Sequence, residues 1–188
     1  MKVLHSEAEF AGGASVVALG MFDGVHIGHQ QLIRVAVDLA EEMGAQSIVC
    51  TFDRHPLSVL RPEIAPDALL SLAENLSKFE RLGADCALVK PFTREFAAVC
   101  PENFIEMLVD GLRAKAIVVG ENYTFGRGGR GDAQMIRKLA TKYGYRAKIV
   151  EPVCDGQGMV SSTRIRGLLQ EGKTAAAQAL LEIREQGE

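Results

Sequence analysis

The chain has no apolar run approaching the ~20 residues that a membrane helix requires; its longest, such as residues 16–19 and 116–119, are only strand-sized. No span through a bilayer is expected. The first nine residues, MKVLHSEAE, lack the unbroken apolar segment of a secretory signal and carry acids in its place, which predicts a cytoplasmic protein. Cysteine is scarce and unpatterned. Cys50, Cys86, Cys100 and Cys154 include no CxxC pair and lie among apolar neighbours, so buried free thiols are expected instead of a zinc centre or a disulfide framework. A basic excess is also missing. With 21 Lys and Arg against 24 Asp and Glu the net charge is −3, so no long-range field draws the chain to nucleic acid or an anionic membrane. Any anion site must be local. Repeats, low-complexity tracts and linkers are absent, and 188 residues predict a single domain over 1–188.

What is present is an apolar pattern whose period switches along the chain. Residues 15–20 form a short apolar run ending at Gly20, the mark of a strand buried on both faces. Leu32, Val35, Leu39 and Met43 then recur at spacings of three and four, predicting a helix over 27–43 closed by Gly44. The alternation continues with strands at 47–52, 86–89, 116–119 and 147–150. Between them lie helices from the Ser71/Glu74 capping pair to Gly83, over 103–112, and from an Asp132 cap to Tyr143. Two short helices, 162–170 and 174–183, finish the chain. Five buried strands separated by helices predict an α/β fold: a doubly wound, Rossmann-like parallel sheet with helices on both faces. In such sheets ligands bind beyond the carboxyl ends of the strands where strand order reverses, so segments following the first, second and fourth strands are the candidates.

The first of these junctions reads GMFDGVHIGH over 20–29. Its glycines, Gly20, Gly24 and Gly28, let the backbone approach a ligand at a helix N-terminus, and His26 and His29 share one face of the first turn. Together they make a phosphate cradle. Asp23, His26 and His29 are also spaced for a metal, although no other region supplies a partner ligand. GRGGRG at 126–131 matches G-x-G-x-x-G, but it lies too far beyond its strand for a dinucleotide fingerprint and lacks the Lys-Ser/Thr of a P-loop. A mobile basic loop is the alternative. SSTRIR at 161–166 opens a helix with hydroxyls at its cap and two arginines close behind. Cations there oppose the helix dipole, which predicts a bound anion between them and the backbone N–H groups.

Together, GxFDGVHxGH at 20–29 and SSTxIR at 161–166 resemble the nucleotidyltransferase signature, while TFDRHP at 51–56 and VGENYTFG at 119–126 narrow the resemblance. They are similar to the FAD synthetase family, the FMN adenylyltransferase module of bacterial bifunctional riboflavin kinase/FAD synthetases. The resemblance spans residues 15–181. It implies transfer of AMP from ATP to FMN, giving FAD and pyrophosphate with Mg²⁺, the metal ligands being unassigned. It also implies that Gly20, Phe22, Asp23, Gly24, His26, His29, Ser162, Thr163 and Arg166 bind ATP, with His29, His26 and Arg166 carrying the catalytic share. Phe52, His55, Pro56, Asn122 and Phe125 fall toward FMN. Arg54 stands where the family usually has proline, adding a cation near the flavin side. A β-barrel kinase is not expected within these residues, so a separate riboflavin kinase or a second copy of the chain remains open as a partner. Two other readings stay open at this stage: a noncatalytic flavin- or nucleotide-binding module, and a cytidylyltransferase.

Overall fold

The computed structural model describes residues 1–183. Its centre is a parallel sheet of β1 (Lys2–Leu4), β2 (Ser15–Leu19), β3 (Gln46–Phe52), β4 (Cys86–Lys90), β5 (Ala114–Gly120) and β6 (Arg146–Val150), in the order β1-β4-β3-β2-β5-β6. Every neighbouring pair in it is parallel. The chain winds outward from β2 through β3 to β4, then crosses back to lay β5 against the other side of β2. The switch point therefore falls at the carboxyl ends of β2 and β5.

The sheet has six strands where the periodicity predicts five. Lys2–Leu4 is a three-residue edge strand with two of its residues exposed, too short to show alternation. Inward and outward alternation along the central strands divides the core in two. Val17 and Leu19 of β2 face the layer that contains Phe104, Leu108 and Ile136; Val16 and Ala18 face α1 (Ile27–Glu42). Ile33, Leu108 and Ile117 are wholly buried. At about 1.5–3 kcal/mol for each such side chain, these layers hold the loops at the sheet edge in place.

The remaining helices are α2 (Pro56–Leu60), α3 (Leu72–Arg81), α4 (Arg94–Ala97), α5 (Pro101–Glu106), α6 (Ala133–Tyr143), α7 (Ser162–Gln170) and α8 (Thr174–Leu181). The Ser71/Glu74 capping box starts α3, and Asp132 caps α6 by accepting the Met135 N–H at 2.7 Å. The helix expected over 103–112 starts at Pro101 and ends at Glu106, giving way to a wider turn, Met107–Gly111, with five-residue hydrogen bonding. Leu108 and Leu112 stay buried across it, so the apolar spacing persists while the winding changes. The final helix stops at Leu181, two residues before the expected end. A third cluster, including Ile27, Val160, Ile165 and Leu180, packs α7 and α8 against the start of α1.

The thiols divide. All four cysteines are free, and Cys50 and Cys86 are buried as expected, but Cys100 is half-buried and Cys154 is exposed. Cys154 lies in a two-stranded ribbon with Met159, too small to bury both faces of its strands.

Candidate active site

The β2–α1 connection is strained. Phe22 and Val25 have φ of 52° and 45°, and Gly24 between them has φ of 82°. A left-handed conformation costs a non-glycine residue about 1–2 kcal/mol, so surrounding contacts must hold this loop. Phe22 is fully buried, with its ring edge against Phe79 at 5.6 Å and His29 at 5.3 Å. Thr51 donates to the Met21 carbonyl at 2.9 Å, and the Asn75 carboxamide accepts the Gly24 N–H at 3.2 Å.

His26 is the N-cap of α1, and its Nδ1 accepts the His29 backbone N–H at 3.3 Å. Nδ1 is thus the acceptor, and the neutral ring carries its proton on Nε2. The two imidazoles stack with centroids 3.7 Å apart and planes 16° from parallel. His29 Nδ1 is buried and has no hydrogen-bond partner among the described residues. Burial, with the Lys78 charge adding to it, lowers the His26 pKa to about 4; burial and His26 hold His29 well below its ordinary value. Both rings are neutral at pH 7 and offer N–H donors without a fixed charge.

Across from this loop, Ser161 caps α7 by accepting the Arg164 N–H at 3.2 Å. Ser162 donates to the Asp23 carbonyl at 3.0 Å, and Arg166 forms an ion pair with the Asp23 carboxylate. The two segments, 139 residues apart at Asp23 and Ser162, therefore touch. Asp23 also accepts the Leu69 N–H at 2.9 Å, and Arg166 Nε donates to the Asp67 carbonyl at 2.8 Å. Arg164 is held by both Asp155 oxygens, at 2.9 and 2.8 Å. The charge of these arginines, for which the helix dipole predicts an anion, is met in the structure by carboxylates of the chain itself, Asp155 and Asp23. Metal binding by Asp23, His26 and His29 is set aside, since Asp23 is taken up by Arg166. Among the described residues no group of three or more His, Cys, Asp or Glu side chains could hold an ion.

Two cavities open at the switch point. One, of about 270 Å³, is walled by Gly20, Phe22, His26 and His29 and, opposite, by Glu151 and Ser161. The other, of about 380 Å³, is apolar and lined by Phe52, Pro56, Phe92, Phe96, Phe104 and Phe125. Met21, Asn122 and Tyr123 line both, so the cavities are contiguous. Asp23, Gly24, Ser162, Thr163 and Arg166 stand outside these walls: Asp23 and Gly24 are buried within the loop, and Thr163 is exposed. His55 also stands outside, capping α2 by accepting the Leu57 N–H at 3.1 Å. Burial and the nearby Arg166 charge lower its pKa, partly offset by Asp23, which puts it in the electrostatic reach of that ion pair. Arg54 adds no free cation, because Asp53 pairs with it at 2.8 Å. The glycine-rich segment folds into a short hairpin, Thr124–Phe125 against Gly131–Asp132, with Gly126 and Gly129 on the apolar cavity.

The FAD synthetase family matches this chain over residues 10–164. The chain belongs to the FAD synthetase family. Among its relatives is the bifunctional riboflavin kinase/FMN adenylyltransferase of Escherichia coli K12, 32% identical over 179 residues, which cover 95% of this chain and 57% of that protein. A Geobacillus thermodenitrificans relative, described as a putative bifunctional riboflavin kinase/FMN adenylyltransferase, is 35% identical over 96% of this chain and 97% of its own length. The chain thus spans little more than half of the first and nearly all of the second. A Streptococcus pneumoniae crystal structure described as a macrolide-efflux protein superposes with a TM-score of 0.82 at 32% identity, covering 96% of this chain and 60% of that one. In this FAD synthetase family chain, no helix among the described residues is long and apolar enough to cross a membrane. The cavity phenylalanines Phe92, Phe96 and Phe104 escape the motif-based reading. The available signal was a concentration of aromatics after β4 in a chain with only 6% aromatic residues.

Proposed function

We propose that the chain is an FMN adenylyltransferase, joining ATP and FMN to give FAD and pyrophosphate. The observation that carries this reading is the contiguity of the two cavities across Met21, Asn122 and Tyr123. A planar aromatic ring system suits the phenylalanine-lined cavity, and a triphosphate suits the cleft floored by the glycine-histidine loop and the α1 N-terminus. A phosphate reaching out of the first then meets the α-phosphorus of a nucleotide in the second. The relatives' names carry the same activity, and the family match covers the nucleotidyltransferase half of those names.

In this reaction an FMN phosphate oxygen attacks the α-phosphorus in line. The new P–O bond forms as the bond to the pyrophosphate oxygen breaks, and pyrophosphate leaves with the negative charge. No protein nucleophile is required, so the chain contributes alignment and charge stabilisation. His26 and His29, stacked and neutral, supply N–H donors beside the α1 amides. Arg166 acts by position: its ion pair with Asp23 fixes the loop to α7. Among the described residues no cluster could hold an ion, and magnesium enters as part of the triphosphate substrate. A cytidylyltransferase acting on a small alcohol phosphate would have no use for the aromatic cavity.

The test is chromatographic detection of FAD from purified chain, FMN, Mg²⁺ and either ATP or CTP. Product with ATP alone is expected. FMN binding without product would return the chain to a binding module, and turnover of CTP with an alcohol phosphate would refute the flavin assignment.

A further inference from the structure

The strained loop is stitched to the end of the last helix by two side chains that reach neither cavity wall. Lys78, half-buried on α3, donates from Nζ to the Gly24 carbonyl at 3.0 Å and to the Leu181 carbonyl at 2.6 Å. Gln30, buried on α1, donates from Nε2 to the Val25 carbonyl at 3.0 Å and to the Glu182 carbonyl at 2.7 Å. Two consecutive carbonyls from positive-φ residues are thus bridged to two consecutive carbonyls at the carboxyl end of α8. Helix-end carbonyls lack partners within the helix and carry partial negative charge, so an ammonium and a carboxamide are apt donors there. Gly24 is gripped on both sides, since Asn75, one turn before Lys78 on α3, accepts its N–H. A Cβ at Gly24 would lie 2.9 Å from Leu181 Cδ2, which shows how closely the helix end abuts the loop.

We infer that Lys78 and Gln30 are positioning residues through which the end of α8 sets the backbone of the phosphate-side loop. The loop's left-handed residues need outside restraint, and these two bridges supply it at the carbonyls that follow Gly24 and Val25. Loss of a bridge lets Gly24 and Val25 relax toward right-handed conformations and swings the stacked histidines off the reacting phosphates. The apolar cavity, built on β3, β4, β5 and the segments after them, meets this loop at Met21, outside the two bridged positions, and keeps its shape.

This inference rests on the adenylyltransferase reading, and its test separates the two. Lys78→Met is compared with wild type by steady-state turnover, by FMN binding through flavin fluorescence, and by amide hydrogen exchange at residues 22–26. The expected result is a roughly 10–100-fold fall in kcat, the scale of a misaligned reacting group, with the FMN dissociation constant within about twofold of wild type. Exchange at residues 22–26 should quicken, and Lys78→Arg, which can still reach two carbonyls, should restore most of the turnover. Wild-type turnover and wild-type exchange in Lys78→Met would overturn the inference. So would a parallel loss of FMN binding and turnover, which marks a merely structural residue. If Lys78→Met does not fold, Gln30→Met is read by the same measurements. A wild-type chain that makes no FAD overturns the adenylyltransferase reading alone, because the exchange comparison still decides the role of the bridges.

Discussion

Mild acid should destabilise this protein through the histidine at the start of α1. In the unfolded chain His26 takes up a proton near its ordinary pKa of 6.5, whereas in the native structure burial delays uptake until about pH 4. Above pH 6.5 neither state holds that proton and stability is complete. Below it the unfolded state binds more protons, so stability falls as pH drops and levels off only below about 4. At about 1.4 kcal/mol per pH unit, this one ring removes about 2 kcal/mol between pH 7 and 5, and about 3 kcal/mol by pH 4. His29, depressed for the same reason, acts in the same direction. Between pH 7 and 5 the carboxylates stay largely ionised, so their contribution to that interval is small. The assay is urea unfolding at pH 7 and pH 5 for wild type and His26→Asn, asparagine being a competent N-cap that does not titrate. For a denaturant dependence of about 2 kcal/mol per molar, the wild-type midpoint should fall by about 1 M or more, and by about 1 M less in the variant. Equal falls in the two proteins would refute the assignment of a buried neutral imidazole at position 26.

Replacing His29 with alanine should reduce turnover by about 10²–10³-fold, the usual consequence of losing one transition-state donor, as measured by FAD formation at saturating ATP and FMN. Removing one partner of the buried Asp23–Arg166 pair should cost about 3–5 kcal/mol in urea unfolding for Arg166→Met, with the Asp23→Ala/Arg166→Met double variant recovering much of it. Asp23→Ala alone should lower kcat without lowering the KM for ATP; a lower KM would mean that the freed arginine binds phosphate and is not an anchor. In the folded protein a thiol reagent should label Cys154 quickly, while Cys50, buried and with its pKa pushed up to about 12, stays silent until urea is added.

The central strands and long helices were legible in the sequence because burial on both faces leaves an unbroken apolar run and a long helix repeats its spacing several times. Val16–Leu19, Leu32–Leu39 and Ile117–Val119 carry those signals without interruption. Local chemistry was equally readable where it lies within a few residues, as at the Ser71/Glu74 capping box and the Asp132 cap. The edge strand Lys2–Leu4 was not, since its only buried residue is Leu4 and its position depends on β4, some eighty residues later. The turn at Met107–Gly111 was hidden for another reason. Its apolar spacing is helical, but Gly111 lies against Glu7, where a Cβ would be 2.7 Å from the Glu7 Cβ, a tertiary contact without local sequence trace.

For the site, motif reading singled out two segments that the fold does bring into contact, but it did not foresee the carboxylates that pair with the arginines of one of them. Two arginines near a helix N-terminus conflict with its dipole, and a ligand anion is one resolution; a carboxylate from elsewhere in the chain is another. Sequence alone does not separate these, because Asp23 and Arg166 are 143 residues apart and nothing in either segment names the other. The structure separates them by burial. Asp23 and Arg166 expose only 8% and 17% of their side chains, so an Arg166 that turned to a phosphate would leave a carboxylate unpaired in a low-dielectric setting. That separation costs about 3–5 kcal/mol, and the loop bearing His26 would lose its tie to α7 at the same moment. Holding the pair together keeps the histidines aligned at no such cost.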